Sequence, residues 1–212
     1  MSSSGSRPPF IVLEGLDGSG KSTQQALLAD WLRQRGLRVT CCRDPGDTEL
    51  GVRLREILLD PHTPLQPITE ALLFMAARSE LVAQVIRPAL QHGEWVVCDR
   101  FLLSTIVYQG YAGGAGADLI RQLGEASVQG TLPDLTLVLD LPVDLAARRC
   151  RRQDRFESRS SDFRQQVREG FLREARRRPR LCRVVDATGS IDDVQQRIRH
   201  EVESVLESHF RS

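Results

Sequence analysis

The stretch Phe10-Ile11-Val12-Leu13-Glu14-Gly15-Leu16-Asp17-Gly18-Ser19-Gly20-Lys21-Ser22-Thr23 decides the fold of this chain. With Pro9 before it, the run Phe10 to Glu14 reads as a buried strand, apolar until its closing acid. From Ser22 to Arg35 the residues Leu27, Leu28, Trp31 and Leu32 share one helical face, and Gly36 supplies the stop. Between strand and helix, Gly15 to Ser22 spells G-x-x-x-x-G-K-S. Strand, glycine loop, helix is the order of a P-loop: main-chain N–H groups curl round a β-phosphate, the lysine reaches the phosphates and the serine hydroxyl ligates Mg²⁺. The helix N-terminus adds its partial positive charge.

Lys21 carries a second signal. The chain has 29 basic residues, and Lys21 is the one lysine among them. Arginine is a planar fork, whereas lysine ends in a compact ammonium that reaches between phosphates as a point charge. Lysine is therefore kept at the position where arginine cannot serve.

At 212 residues with 41% hydrophobic and 27% charged content, the chain suits one soluble domain over residues 9–212 behind a flexible tail of residues 1–8. No apolar run has the ~18 residues of a membrane span. The five cysteines are odd in number and lack C-x-x-C spacing, which argues against zinc and disulfides and for a cytoplasmic protein. Net charge is +1 but polarised: Arg148 to Arg183 holds 14 arginines against five acids. Such a segment predicts an anionic ligand nearby.

Alternation continues along the chain. Leu37 to Cys42, Trp95 to Cys98, Leu135 to Leu139 and Leu181 to Val185 read as four more short apolar strands with helices between them. This predicts an α/β fold with a five-stranded parallel sheet covered on both faces, a three-layer P-loop NTPase architecture. Functional groups then gather at the strands' carboxyl ends, at Gly15, Arg43-Asp44, Asp99-Arg100 and Asp140. Pro88 is expected to bend the helical segment Ile68 to Gln91, and Gly110 to Gly116 to be a flexible connection. Ser190 and Asp193 suit a capping box for a last helix striped by Ile191, Val194, Ile198, Val202 and Val205.

The order of motifs resembles the bacterial thymidylate kinase family from Phe10 to the last helix. The matching stretches are FIVLEGLDGSGKST (10–23), RDPG (43–46), LLFMAAR (72–78), DR (99–100), STIVYQG (104–110), PDLTLVLDLP (133–142) and DRFE (154–157). The resemblance implies ATP-dependent phosphorylation of dTMP to dTDP with Mg²⁺, in a homodimer, with no nucleic acid or membrane as partner. It implies ATP at Gly15, Leu16, Asp17, Gly18, Ser19, Gly20, Lys21, Ser22 and Thr23, and dTMP at Asp17, Arg43, Asp44, Phe74, Arg78, Arg100, Ser104, Thr105, Tyr108 and Gln109. Within that set Arg43 and Arg100 take the acceptor phosphate, Phe74 stacks on thymine and Arg78 donates to its O4, which selects against the N4 donor of cytosine. Asp17 meets the sugar 3′-hydroxyl, and Tyr108 crowds the 2′ position. Ser22 and Asp99 are the Mg²⁺ residues; Asp99 has a second open reading as the group that orients Arg100, and Asp140 has a supporting role.

Catalysis is assigned to Lys21, Arg100 and an arginine of a small lid near residues 148–160. In the family the catalytic arginine sits either in the P-loop or in the lid; the variable P-loop positions here hold none, so the resemblance implies a lid arginine, from Arg149, Arg151 or Arg152, with Arg155 structural. One departure stands out: the family reads D/E-P-G-G-T where this chain has Asp44-Pro45-Gly46-Asp47-Thr48. A charged residue thus takes a turn suited to glycine, near the acceptor phosphate. Two other readings compete: a kinase of different or broader acceptor choice, such as dUMP, and a nucleic-acid-binding ATPase using the basic segment. The latter lacks a reader motif and interleaved aromatics.

Overall fold

The computed structural model describes residues 7–150 and 159–210. Strands β1 (Phe10–Glu14), β2 (Val39–Arg43), β3 (Trp95–Asp99), β4 (Leu135–Asp140) and β5 (Cys182–Asp186) form one sheet, all parallel, in the order β2-β3-β1-β4-β5. Helices α1 (Lys21–Arg33), α2 (Glu49–Leu59), α3 (Pro67–Leu81), α4 (Arg87–Gln91), α5 (Leu102–Thr105), α6 (Ala117–Val128), α7 (Val143–Arg149), α8 (Ser161–Arg177) and α9 (Ile191–Phe210) cover it. Side chains alternate across the sheet. Ile11 and Leu13 pack with Leu28 and Leu32 of α1 and Ile198 of α9, while Phe10 and Val12 pack with Met75 and Leu81 of α3 and Ile120 of α6.

Strands β2 to β5 each run one residue past their apolar stretch, because ladder pairing continues onto charged residues: Arg43 pairs with Asp99 and Asp140 with Asp186. A row of charges therefore crowns the carboxyl edge. Order is 2-3-1-4-5, so β1 and its glycine loop sit centrally, between β3 and β4.

Three local expectations change. Where a bend is expected at Pro88, the structure has a π-helical segment one turn earlier, Val82–Ile86, in which Arg87 N–H bonds to Val82 C=O. Proline offers no N–H to the carbonyl four residues back and its ring crowds that carbonyl, so the turn before it widens. Gly110 to Gly116 is not simply a flexible connection. Ile106–Ala112 is a second π-helical segment, with Gly110 buried where an added Cβ would meet Ala117 Cα at 2.9 Å. Finally, Arg7, within the expected flexible tail, is held through Nη2, which donates to both carboxylate oxygens of Asp134 at 2.8 and 2.9 Å.

The last helix begins as expected: Asp193 N–H donates to the Ser190 hydroxyl at 3.2 Å, and Ser190 N–H to the Asp193 carboxylate at 3.0 Å. Its stripe is Val194, Ile198, Val202 and Leu206, whereas Ile191 is exposed. None of the five cysteines is in a disulfide. Among the described residues, no helix is long and apolar enough to cross a membrane.

Candidate active site

Gly15 to Gly20 turns between β1 and α1 with Gly15, Gly18 and Gly20 all at positive φ. Only glycine holds such a path without strain. At Gly18 an added Cβ would lie 2.3 Å from the Ala146 carbonyl of α7, so glycine also permits that close approach; at Gly20 it would stand in open space, inside the cleft. Lys21 is buried and donates to the Gly15 and Leu16 carbonyls at 3.1 and 2.8 Å. Burial and the neighbouring Arg100 charge bring its pKa down to about 8, against the pull of Asp17, Asp99 and Glu14. Asp17, Gly18, Ser19, Gly20, Lys21, Ser22 and Thr23 line a cavity of about 670 Å³ together with Arg149 and Gly189, whereas Gly15 and Leu16 do not line it.

At the floor of that cavity the Ser22 hydroxyl donates to the Asp99 carboxylate at 2.7 Å. Arg43 completes the cluster, 3.2 Å from the Ser22 hydroxyl and with Nε 3.6 Å from Asp99. Asp99 is thus paired with Arg43 rather than Arg100, a correction that follows from sheet order: β2 neighbours β3 and puts Arg43 in register with Asp99. A hydroxyl beside a carboxylate is an oxygen donor pair suited to a hard divalent cation such as Mg²⁺, which takes one or two protein oxygens and completes its shell from phosphates and water. Asp140 accepts from Arg168 of α8 at 2.7 and 2.9 Å.

A second, tighter cavity of about 60 Å³ adjoins the first and shares Asp17, Arg55 and Arg100 with it. Asp44, Phe74, Arg78, Ser104, Thr105, Tyr108 and Gln109 line it. The expected dTMP residues therefore converge, apart from Arg43, which faces the larger cavity. Arg100 links the two. It has φ 69°, unusual for an arginine, and donates to Asp17 at 2.8 Å and to the Ser104 hydroxyl at 2.9 Å, with Tyr108 below its guanidinium. Burial raises the Asp17 pKa, but the charges of Arg100 and Lys21 overcome it and hold the carboxyl below its ordinary range.

The inner wall is a buried polar network. Arg78 is buried, pairs through Nε with Asp44, and donates through Nη2 to the Thr105 hydroxyl at 2.7 Å and the Phe101 carbonyl at 3.3 Å. Asp44 has its pKa raised by burial against the opposing charge of Arg78, and its Oδ1 has no hydrogen-bond partner in this cleft. Gln109 donates to Glu70 at 2.6 Å. Asp47 has φ 55°, and its carboxylate turns back to accept the Arg43 N–H at 2.6 Å. The charge at the family's glycine position therefore closes its own turn.

Sequence reasoning missed Glu14, Arg55 and Glu70. Nothing local separates Arg55, which lines both cavities and donates to the Pro45 carbonyl, from exposed Arg53, which pairs with Glu49. Of the lid arginines, Arg149 closes α7 and donates to the Ala187 carbonyl at 3.3 Å; Arg151, Arg152 and Arg155 lie outside the described residues.

A parallel sheet with a central P-loop, one nucleotide-sized cavity on that loop and a second, cation-gated cleft beside it define a P-loop phosphotransferase acting on a second, phosphorylated substrate. The profile of the thymidylate kinase family matches residues 13–198. The thymidylate kinase of Symbiobacterium thermophilum is 47% identical over 205 residues, covering 95% of this chain and 96% of its own length. That of Chromobacterium violaceum is 44% identical, covering 98% and 99%. The crystal structure of thymidylate kinase from Ehrlichia chaffeensis superposes with a TM-score of 0.75 at 34% identity, over 92% of this chain and 98% of that one. The chain belongs to the thymidylate kinase family.

Proposed function

We propose that this chain transfers the γ-phosphoryl group of ATP to the phosphate of dTMP, giving dTDP and ADP. The observation that carries this reading is the pair of adjoining cavities bridged by Arg100 and Asp17, one on the P-loop and one closed by Phe74 and Arg78. ATP would occupy the larger, its phosphates on the loop and Lys21. The dTMP would occupy the smaller, its phosphate toward Arg100 and Arg43 and its base toward Phe74, Arg78, Thr105 and Gln109, with Asp17 and Tyr108 beside the sugar.

The acceptor needs no general base. A phosphate monoester loses its second proton near pH ~6, so its attacking oxygen is already anionic at neutral pH. What remains is positioning and charge neutralisation. Arg100 and Arg43 bring two anions together; Lys21 holds the donor as a point charge; an arginine of the segment at about 148–160, with Arg149 at its start, meets the charge that develops on the moving group. Ser22 and Asp99 would hold Mg²⁺, which would supply positive charge to neutralise the donor phosphates.

The same family grounds support one kinase domain over residues 9–212, a cytoplasmic location and a homodimer. Exposed Val52 and Ile57 on α2, Leu72 on α3 and Leu119 on α6 are apolar surface that such a dimer would cover. Coupled ADP-release assays with dTMP, dUMP, dGMP and AMP test the reading. Turnover is expected with dTMP well above the others; equal turnover across the set would favour a broad nucleoside monophosphate kinase.

A further inference from the structure

The carboxylate just before the glycine loop has no part in the steps above, yet it is tied to them. Glu14 is fully buried. The hydrogen bonds it accepts come from the segment that follows Arg100: Phe101 N–H at 2.9 Å and Ser104 N–H at 3.1 Å on one oxygen, and the Ser104 hydroxyl at 2.5 Å on the other. Ser104 in turn accepts from Arg100 Nη1 at 2.9 Å. The Arg100 N–H itself donates to the Leu13 carbonyl at 2.9 Å. A left-handed backbone at a non-glycine residue persists only where its surroundings over-determine it, and here β1 grips the chain on both sides of Arg100, through Leu13 before it and Glu14 after it.

The polarity of the relay matters as much as its reach. A hydroxyl has one proton, and Ser104 gives that proton to Glu14, which leaves only lone pairs facing the guanidinium. Arginine has donors and no acceptor, so a hydroxyl turned the other way would present its proton to Nη1. With Asp17 on Nη2 at 2.8 Å, the fork is then fixed at two points.

We propose that Glu14 is a positioning residue for the acceptor phosphate: it holds the backbone of Arg100 in place and, by making Ser104 an acceptor, aims the guanidinium into the cleft. This role rests on the proposed function, in which Arg100 meets the phosphate of dTMP. A residue that merely caps α5 would support the fold without setting the direction of that hydroxyl.

Glu14→Gln separates the two roles. Its carbonyl oxygen can still accept both backbone N–H groups, while its NH₂ meets Ser104 and reverses the hydroxyl. Burial pushes the Glu14 pKa up to about 7, so kinetics at about pH 8 compare the carboxylate with its neutral isostere. Glu14→Gln is expected to lower kcat/KM for dTMP by ~10-fold or more, the scale of a hydrogen bond to a charged group, with KM for ATP changed less than about 2-fold. Ser104→Ala removes the relay but keeps the Ser104 N–H on the carboxylate, and should lower kcat/KM for dTMP by a similar factor. The double variant should fall no further than the worse single one, since both break one relay. Wild-type kcat/KM for dTMP in Glu14→Gln, equal losses toward ATP and dTMP, or losses that multiply in the double variant would each overturn the role. If Glu14→Gln does not fold, Ser104→Ala decides: unchanged kcat/KM for dTMP overturns the relay. An unsubstituted protein inert toward dTMP overturns the proposed function itself, a result visible before any variant is made.

Discussion

The donor and acceptor halves of the cleft are made of different materials. The donor half is main chain: a loop of positive-φ glycines, a helix N-terminus and one buried lysine, open over about 670 Å³. The acceptor half is side chain: Asp44, Arg78, Thr105, Gln109 and Glu70, drawn from the end of β2, from α3 and from the helical segments after β3, are buried and hydrogen-bonded in two sets, Asp44 with Arg78 and Thr105, and Gln109 with Glu70, beside a cavity of about 60 Å³. A triphosphate is recognised by its repeating charge, which backbone N–H groups and one cation can meet without reading a base. A base is recognised by its edge, which needs fixed side-chain donors and acceptors, and these hold still only when buried and paired.

Replacement of Lys21 should break the donor half most severely. Lys21→Arg keeps the charge but puts a fork where a buried ammonium now lies against two loop carbonyls, and kcat should fall ~10³-fold with overall stability nearly kept. Near-normal turnover would mean that charge alone suffices there. On the acceptor side, Arg78→Ala should cost about 3 kcal/mol of stability in urea unfolding, because it leaves Asp44 buried without its counter-ion; a loss under about 1 kcal/mol would show that the wall is not a coupled network.

Smaller effects sharpen the boundary between the halves. Arg149→Ala should lower kcat by at least ~10-fold, roughly 1.4 kcal/mol, with both KM values little changed, as for a cation used only in the transition state. If Arg149, Arg151 and Arg152 each tolerate alanine with less than that loss, no single one of them supplies the catalytic charge. Lys21, with its pKa lowered by burial and by Arg100 to about 8, loses its proton as pH rises through that value. kcat/KM for ATP should therefore hold below about pH 8 and fall toward tenfold per unit above it; a flat profile to about pH 9.5 would contradict the burial of that charge. Asp47→Gly trades a strained φ of 55° against the hydrogen bond to Arg43 N–H, so stability should move by less than about 1 kcal/mol in thermal unfolding, a larger loss showing that the aspartate organises the loop.

The same contrast explains what the sequence revealed. A glycine loop is legible because its backbone path dictates residue type at fixed spacing, and the strands because burial on both faces leaves unbroken apolar runs. Strand ends were off by one since Arg43, Asp99, Asp140 and Asp186 pair through main chain, to which hydrophobicity is blind. The acceptor residues became legible through family likeness, as Phe74 and Arg78 alone read as ordinary helix positions. Partners across the fold were not legible: that Asp99 meets Arg43 depends on strand order, and that Glu14 serves Ser104 depends on how α5 starts over the end of β1. The π-helical segments, one just before Pro88 and one containing Gly110, are changes of backbone pitch that no apolar period records.

The most direct measurement is the ratio of kcat/KM for dTMP to that for dCMP, taken on the unsubstituted protein at saturating ATP and Mg²⁺. The two bases differ where the buried Arg78 wall faces them, an O4 acceptor against an N4 donor. A preference for dTMP of ~10²-fold or more is expected, since a buried donor left facing a donor is costly. Comparable values for the two acceptors would contradict base reading by that wall and leave the acceptor half as a phosphate site alone.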